Sequence, residues 1–173
     1  MSKLSVDEVA LELPSSFAAS VIMEQSPSDS PWLDESWEAI GVTAGSSDGG
    51  EPAVSLVYKE KGARRFLHSG FTLRLHVDEC ESYYHNLVSP TPRCYVVADP
   101  DENGVPTPVL ISLSFDEAHA YLEGDGVVYA VDVPAEIYLW CEAFVLQHYV
   151  PQKKLKRKLN DWRASESGDR KHA

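Results

Sequence analysis

The densest chemistry in the chain sits close to its C-terminus, where Gln152–Arg163 reads QKKLKRKLNDWR. Leu155, Leu159 and Trp162 recur at i, i+4 and i+7. Lys153, Lys154, Lys156, Arg157 and Lys158 fill much of the remaining circumference. This is the pattern of a short amphipathic basic helix. Its charge would steer an acidic partner, and its three large apolar side chains would anchor the contact. The same segment could instead lie on RNA or fold back on the body of its own chain. A membrane surface would need a broader apolar face. Partner binding is therefore expected at Lys153, Lys154, Leu155, Lys156, Arg157, Lys158, Leu159 and Trp162.

Other constellations have plainer readings. Asp116-x-x-His119 puts a carboxylate and an imidazole one turn apart on a helix, a geometry that can hold a metal. No third ligand is identifiable, and Asp116 equally suits the positive end of the helix dipole. His68, His76 and His85 are close in sequence, but His76 is expected to pair with Asp78 or Glu79, and His85 lies off the apolar stripe of its helix. Cys80, Cys94 and Cys141 are widely spaced, with no CxxC, and read as buried reduced thiols. Gly45–Gly50 has the glycines of a phosphate-binding loop. It contains Asp48, however, and runs into Glu51-Pro52 and a strand, so it reads as a flexible connector. The acids Asp34, Glu35, Asp99, Asp101 and Glu102 fall in turns, where solvation is the default. Trp32 and Trp37 are expected in the core, although an exposed Trp32 would make an interface anchor. No catalytic residue, metal site or cofactor is expected.

Charge divides the chain. Residues 1–150 carry 7 Lys+Arg against 24 Asp+Glu, whereas residues 151–173 carry 8 against 3, within a net charge of −12. An acidic body repels phosphates, which disfavours nucleic acid as the main partner. At 173 residues the chain is long enough to bury a substantial core. Asp7, Glu8 and Glu12 stand where a signal peptide needs an apolar run, and no stretch approaches a membrane span. The protein is expected to be cytoplasmic.

The elements that would position these residues follow from periodicity. Strands are expected at Phe17–Met23, Trp37–Val42, Ala53–Lys59, Arg65–His68 and Phe71–Val77, with a turn at Lys61-Gly62. Asp78 with Glu81 reads as a capping box opening a helix whose apolar positions are Cys80, Tyr84, Leu87 and Val88. Cys94–Ala98 and Val109–Leu113 are strands around an Asn103-Gly104 hairpin loop. Ser114 with Glu117 opens a second helix burying Ala118, Tyr121 and Leu122. Val127–Val131 is a short strand. Pro134 begins the longest helix, with Ile137, Trp140, Cys141, Phe144, Val145 and His148 on its apolar face. The expected fold is α+β: an antiparallel curved sheet or partial barrel of about seven to eight strands, covered by two or three helices, with a basic C-terminal helix or tail. Residues 1–14 would be a flexible N-terminal extension, 15–150 a single domain and 151–173 the basic arm.

Two stretches carry a wider likeness. LRLHVDECESYYHNLVSPTPRCYVVAD runs from Leu73 to Asp99, and ISLSFDEAHAYLEGDGVVYAVDVPAEIYLWCEAFVLQHYVPQKKLKRK from Ile111 to Lys158. With Pro31-Trp32 and Trp37, they resemble the proteobacterial domain of unknown function family 3305. Genes of that family often neighbour formate dehydrogenase genes, and members are sometimes labelled molybdenum-cofactor guanylyltransferases. Such enzymes open with a strand and a Gly-rich loop bearing Arg and Lys. Residues 17–30, FAASVIMEQSPSDS, have no glycine and no basic residue. The family has no assigned catalytic residues to carry over.

The resemblance implies a non-enzymatic accessory protein for a cytoplasmic molybdenum or tungsten formate dehydrogenase. Its partner would be a subunit of that enzyme or one of its maturation factors. The alternatives are an enzyme or carrier handling a pterin or sulfur intermediate through His76, Asp78, Cys80 or Cys94, and an RNA-binding module built on the arm.

Overall fold

The computed structural model describes residues 13–45 and 51–149. The connector at 46–50, the tail at 1–12 and the basic arm lie outside the described residues. The elements run β1 (Ser16–Pro27), β2 (Glu35–Ala44), β3 (Val54–Glu60), β4 (Ala63–Arg74), a 3-10 turn (Val77–Glu79), α1 (Cys80–Leu87), β5 (Arg93–Pro100), β6 (Pro106–Ser112), α2 (Phe115–Ala120), β7 (Val127–Asp132) and α3 (Ala135–His148). The α+β class and the antiparallel strands stand. The single curved sheet does not, because the seven described strands form two sheets. One has the order β2-β1-β4-β3 and the other β6-β5-β7, each antiparallel throughout. After β4 the chain enters α1, so β5 starts a new ladder and does not extend the old one.

Local chemistry explains the joints. Lys61 and Gly62 have φ of 49° and 83°, the left-handed pair that a tight hairpin between β3 and β4 requires. The expected strands on either side of Gly70 are one strand, β4. Gly70 sits within it at φ 91°, and a Cβ there would come within 2.7 Å of Pro52 Cα. Asp101 closes the β5–β6 loop by accepting from the amides of Asn103 and Val105. Pro134 precedes α3, where a missing N–H removes no helical hydrogen bond.

One core joins both sheets to α1 and α3. It includes Val21 and Met23 of β1, Leu73 of β4, Val96 of β5, Tyr83 of α1, and Ile137 and Cys141 of α3. Burying each of the larger side chains contributes about 1.5–3 kcal/mol. A Tyr129 hydroxyl donating to the Trp37 carbonyl ties β7 to β2. The Trp140 indole donates to the Pro14 carbonyl at 2.7 Å, which fixes the entry to β1 against α3.

Several expected burials are reversed. Tyr83, not Tyr84, enters the core, and its hydroxyl accepts from the His76 amide at 3.0 Å. The 3-10 turn shifts α1 to begin at Cys80, so the Asp78–Glu81 capping box does not form. Val88, Tyr121 and Trp32 are exposed, Trp32 by 89%. His148 is exposed as well, although its ring rests on Phe144. Strand β3 is exposed along its whole length, because among the described residues β4 is its only sheet neighbour and no helix lies over it.

Candidate functional site

The sequence-expected contact residues, Lys153 to Lys158, Leu155, Leu159 and Trp162, lie outside the described residues. Within the described body, an open cleft of ≈ 650 Å³ lies between α1, α2 and β5. Asp78, Glu79, Glu81 and Asp116 bring four carboxylates to it, and His85 is its one imidazole. Tyr95 and Phe115 form an aromatic wall, edge to face at 5.6 Å.

Each side chain arrives for a local reason. The 3-10 turn and first turn of α1 are acidic, as suits a helix start. Ser114 caps α2 by accepting from the Glu117 amide at 3.1 Å. Asn86 locks α1 to its neighbours. Its amide donates to the carbonyls of Arg93 and Leu113 at 2.7 and 2.9 Å, and its oxygen accepts from the Arg93 amide at 2.9 Å. That one residue holds the three walls together.

The hydroxyl of Ser114 is fully committed. It donates to Glu79 Oε2 at 2.6 Å and lies 3.0 Å from the Ser82 hydroxyl while capping α2. A hydroxyl has two lone pairs, and here both accept hydrogen bonds, so none is free to attack a substrate. Ser114 is also completely buried. The three thiols are buried too, and burial pushes Cys80 up and Cys94 and Cys141 to about 12. They are protonated at neutral pH and inert by that measure.

The histidines do not converge. His68 is half-buried on β4, between Val21 of β1 and Val54 of β3, and burial lowers its pKa. His76 lies 3.9 Å from Glu117, not from Asp78 or Glu79 as expected, and His85 lies 3.6 Å from Glu81. Asp116 lines the cleft, while His119 turns back to the Phe115 carbonyl at 2.9 Å and rests against the Phe115 ring. Among the described residues, no group of three or more His, Cys, Asp or Glu is placed to hold a metal ion. The cleft suits a cationic or hydrogen-bonding group by charge.

Sequence reasoning missed this convergence of acids. The signal was present as two acid-rich helix starts, Asp78-Glu79 and Asp116-Glu117, each read alone as a helix-dipole or capping feature. It also missed the exposed pair Trp32 and Leu33 on the β1–β2 loop. Among the described residues, no helix is long and apolar enough to cross a membrane.

Comparison with known families places most of the chain in one of them. The model of the family described as protein of unknown function (DUF3305) matches residues 18–158. No curated protein and no solved structure matches the chain.

Proposed function

The chain belongs to this family, whose description assigns no chemistry, and from its charge layout we propose that it is a non-enzymatic accessory protein. It assists assembly or maturation of a cytoplasmic molybdenum or tungsten formate dehydrogenase through protein contact. The observation that carries this reading is the opposition of an acidic body, 24 acids against 7 bases, and an arm with 8 bases against 3 acids. A cationic arm on a body that repels like-charged surfaces orients an acidic partner and raises its rate of encounter. Lys153, Lys154, Lys156, Arg157 and Lys158 supply the charge. Leu155, Leu159 and Trp162 supply apolar anchorage once the partner has docked.

Two further features support contact over catalysis. The Ser114 hydroxyl is committed and the three thiols are buried, and a Trp exposed by 89% marks a surface suited to protein contact. The test is co-purification of the full chain and of a chain lacking 151–173 with the dehydrogenase, from cells grown on formate. The full chain should retain the enzyme and the truncated chain should lose it, while the remaining body still unfolds in one cooperative transition. A truncated chain that still captures the enzyme refutes the arm's role. A full chain that captures none of the enzyme or its maturation factors refutes the accessory reading.

A further inference from the structure

Helix α3 is apolar on both sides, although only one side is buried by the described residues. Ile137, Trp140, Cys141, Phe144 and Val145 face the core. Leu139 and Leu146, two turns apart on the opposite side, are 62% and 78% exposed. Ala135 and Ala143 extend that outer stripe, and Glu136 and Glu142 flank it left and right. A helix that is hydrophobic all round is normally covered all round.

We infer that the segment Gln152–Arg163 covers this face, returning as the second helix of an antiparallel hairpin with α3. The inference concerns the protein on its own and does not rest on the accessory reading. Three observations converge on it.

The first is register. Leu139 and Leu146 are seven residues apart, and so are Leu155 and Trp162. A connection through Tyr149, Val150, Pro151 and Gln152 is a common length for such a hairpin. It sets Leu155 level with Leu146 and Trp162 level with Leu139. Leu159 then falls level with Glu142, beside Ala143. The two stripes have the same length, about 10 Å from first to last large side chain.

The second is charge. The outer face of α3 offers Glu136 and Glu142 and contains no Lys or Arg. On the returning helix, Lys154 and Lys158 flank the apolar stripe on one side and Lys156 and Arg163 on the other. Lys158 comes level with Ala143, next to Glu142. Lys153 and Arg157 point away and stay available to a partner, whose docking on the arm would draw Leu155, Leu159 and Trp162 off α3.

The third is shape. The chain leaves α3 at Tyr149, whose ring stacks on Tyr84 of α1 at 4.9 Å. This starts the return along the α1 side of the exposed face. At the far end, beside Leu139, lies an apolar groove of ≈ 550 Å³. Its apolar lining is Pro90, Pro92, Val133, Ala135, Tyr138 and Leu139, with Thr91 and Asp132 beside them. Trp162 reaches that level and supplies the large flat side chain the groove can take.

Cysteine pairs in the full-length protein test the register. The three natural cysteines are buried and stay in place. Leu146→Cys with Leu155→Cys are level, and Leu139→Cys with Leu155→Cys are two turns out of step. Under mild oxidation the level pair should close within one chain about ten-fold faster than the stepped pair, because a disulfide needs its Cα atoms within about 7 Å. Adding Glu142→Lys to the level pair should slow closure, and adding Lys158→Glu as well should restore it. Equal rates for the two pairs would mean the arm does not dock here. Linkage between chains would mean that a second copy covers α3. Either result overturns the inference. Hydrogen exchange on the unsubstituted protein is independent of the variants. Amides 153–162 should exchange at least about ten-fold slower than an unstructured peptide of the same sequence, and exchange at the peptide's rate refutes docking.

Discussion

Asn86 is the residue on which the geometry of the cleft depends most directly. Its side chain makes three hydrogen bonds at 2.7, 2.9 and 2.9 Å, to both backbone groups of Arg93 and to the Leu113 carbonyl. Replacing it by Ala removes all three and leaves two carbonyls and an amide to find new partners. Each bond contributes about 1 kcal/mol net, and unsatisfied groups add to the loss, so Asn86→Ala should destabilise by about 2–4 kcal/mol. In urea, with a slope of about 2 kcal/mol per molar, the unfolding midpoint should fall by about 1–2 M. In a thermal scan Tm should fall by about 4–16 °C. Asn86→Asp separates the hydrogen-bond argument from simple loss of volume. The substitution is nearly isosteric, but it turns a donor facing two carbonyls into a charged acceptor. Its loss at pH 7 should equal or exceed that of the Ala variant and should shrink in acid, as the carboxyl gains a proton. A loss below about 0.5 kcal/mol for Asn86→Ala, or a neutral Asn86→Asp, would show that the three walls are held by packing alone.

Three further outcomes follow from buried titratable groups. Burial holds the His68 imidazole below its ordinary value of about 6.5. Near that pH the unfolded chain takes up the proton first, so stability should decline as pH falls from about 6.5. His68→Leu should flatten that decline in urea titrations run at several pH values, and an unchanged slope would count against it. The Cys94 and Cys141 thiols, held near 12, ionise more readily in the unfolded chain, so stability should fall as pH rises above about 9. At pH 8 a chromogenic disulfide reagent should label none of the three cysteines in the native protein and all three in guanidinium. Rapid native labelling would contradict their burial.

Much of the fold is legible along the chain because it rests on short-range chemistry. Lys61-Gly62 specifies a tight turn through backbone sterics alone, and Ser114-x-x-Glu117 specifies a helix start through one local hydrogen bond. The apolar positions of α3 report its inner face through the 3.6-residue period. Cys80, Cys94 and Cys141 read as buried from their apolar neighbours. The basic arm is visible in the sequence as a run of like charges, and its role is proposed from that.

What neighbours decide at long range was not visible. Whether Tyr83 or Tyr84 enters the core depends on a 3-10 turn that rotates α1, which periodicity places one position off. Trp32 and β3 have core-like composition but lie where no layer of the described residues covers them, and composition cannot report such exposure. The acidic cleft exists because Asn86 brings α1, β5 and the start of α2 together across 27 residues of sequence. Composition and periodicity therefore determined the class of fold, most element positions and the charge opposition between body and arm. Only tertiary packing decided the split into two sheets, the outward faces of α1, α3 and β3, and the meeting of four carboxylates at one opening. The physical reason is that turns, caps and periodic faces are set by interactions within a few residues, whereas exposure and convergence are set by elements distant in sequence.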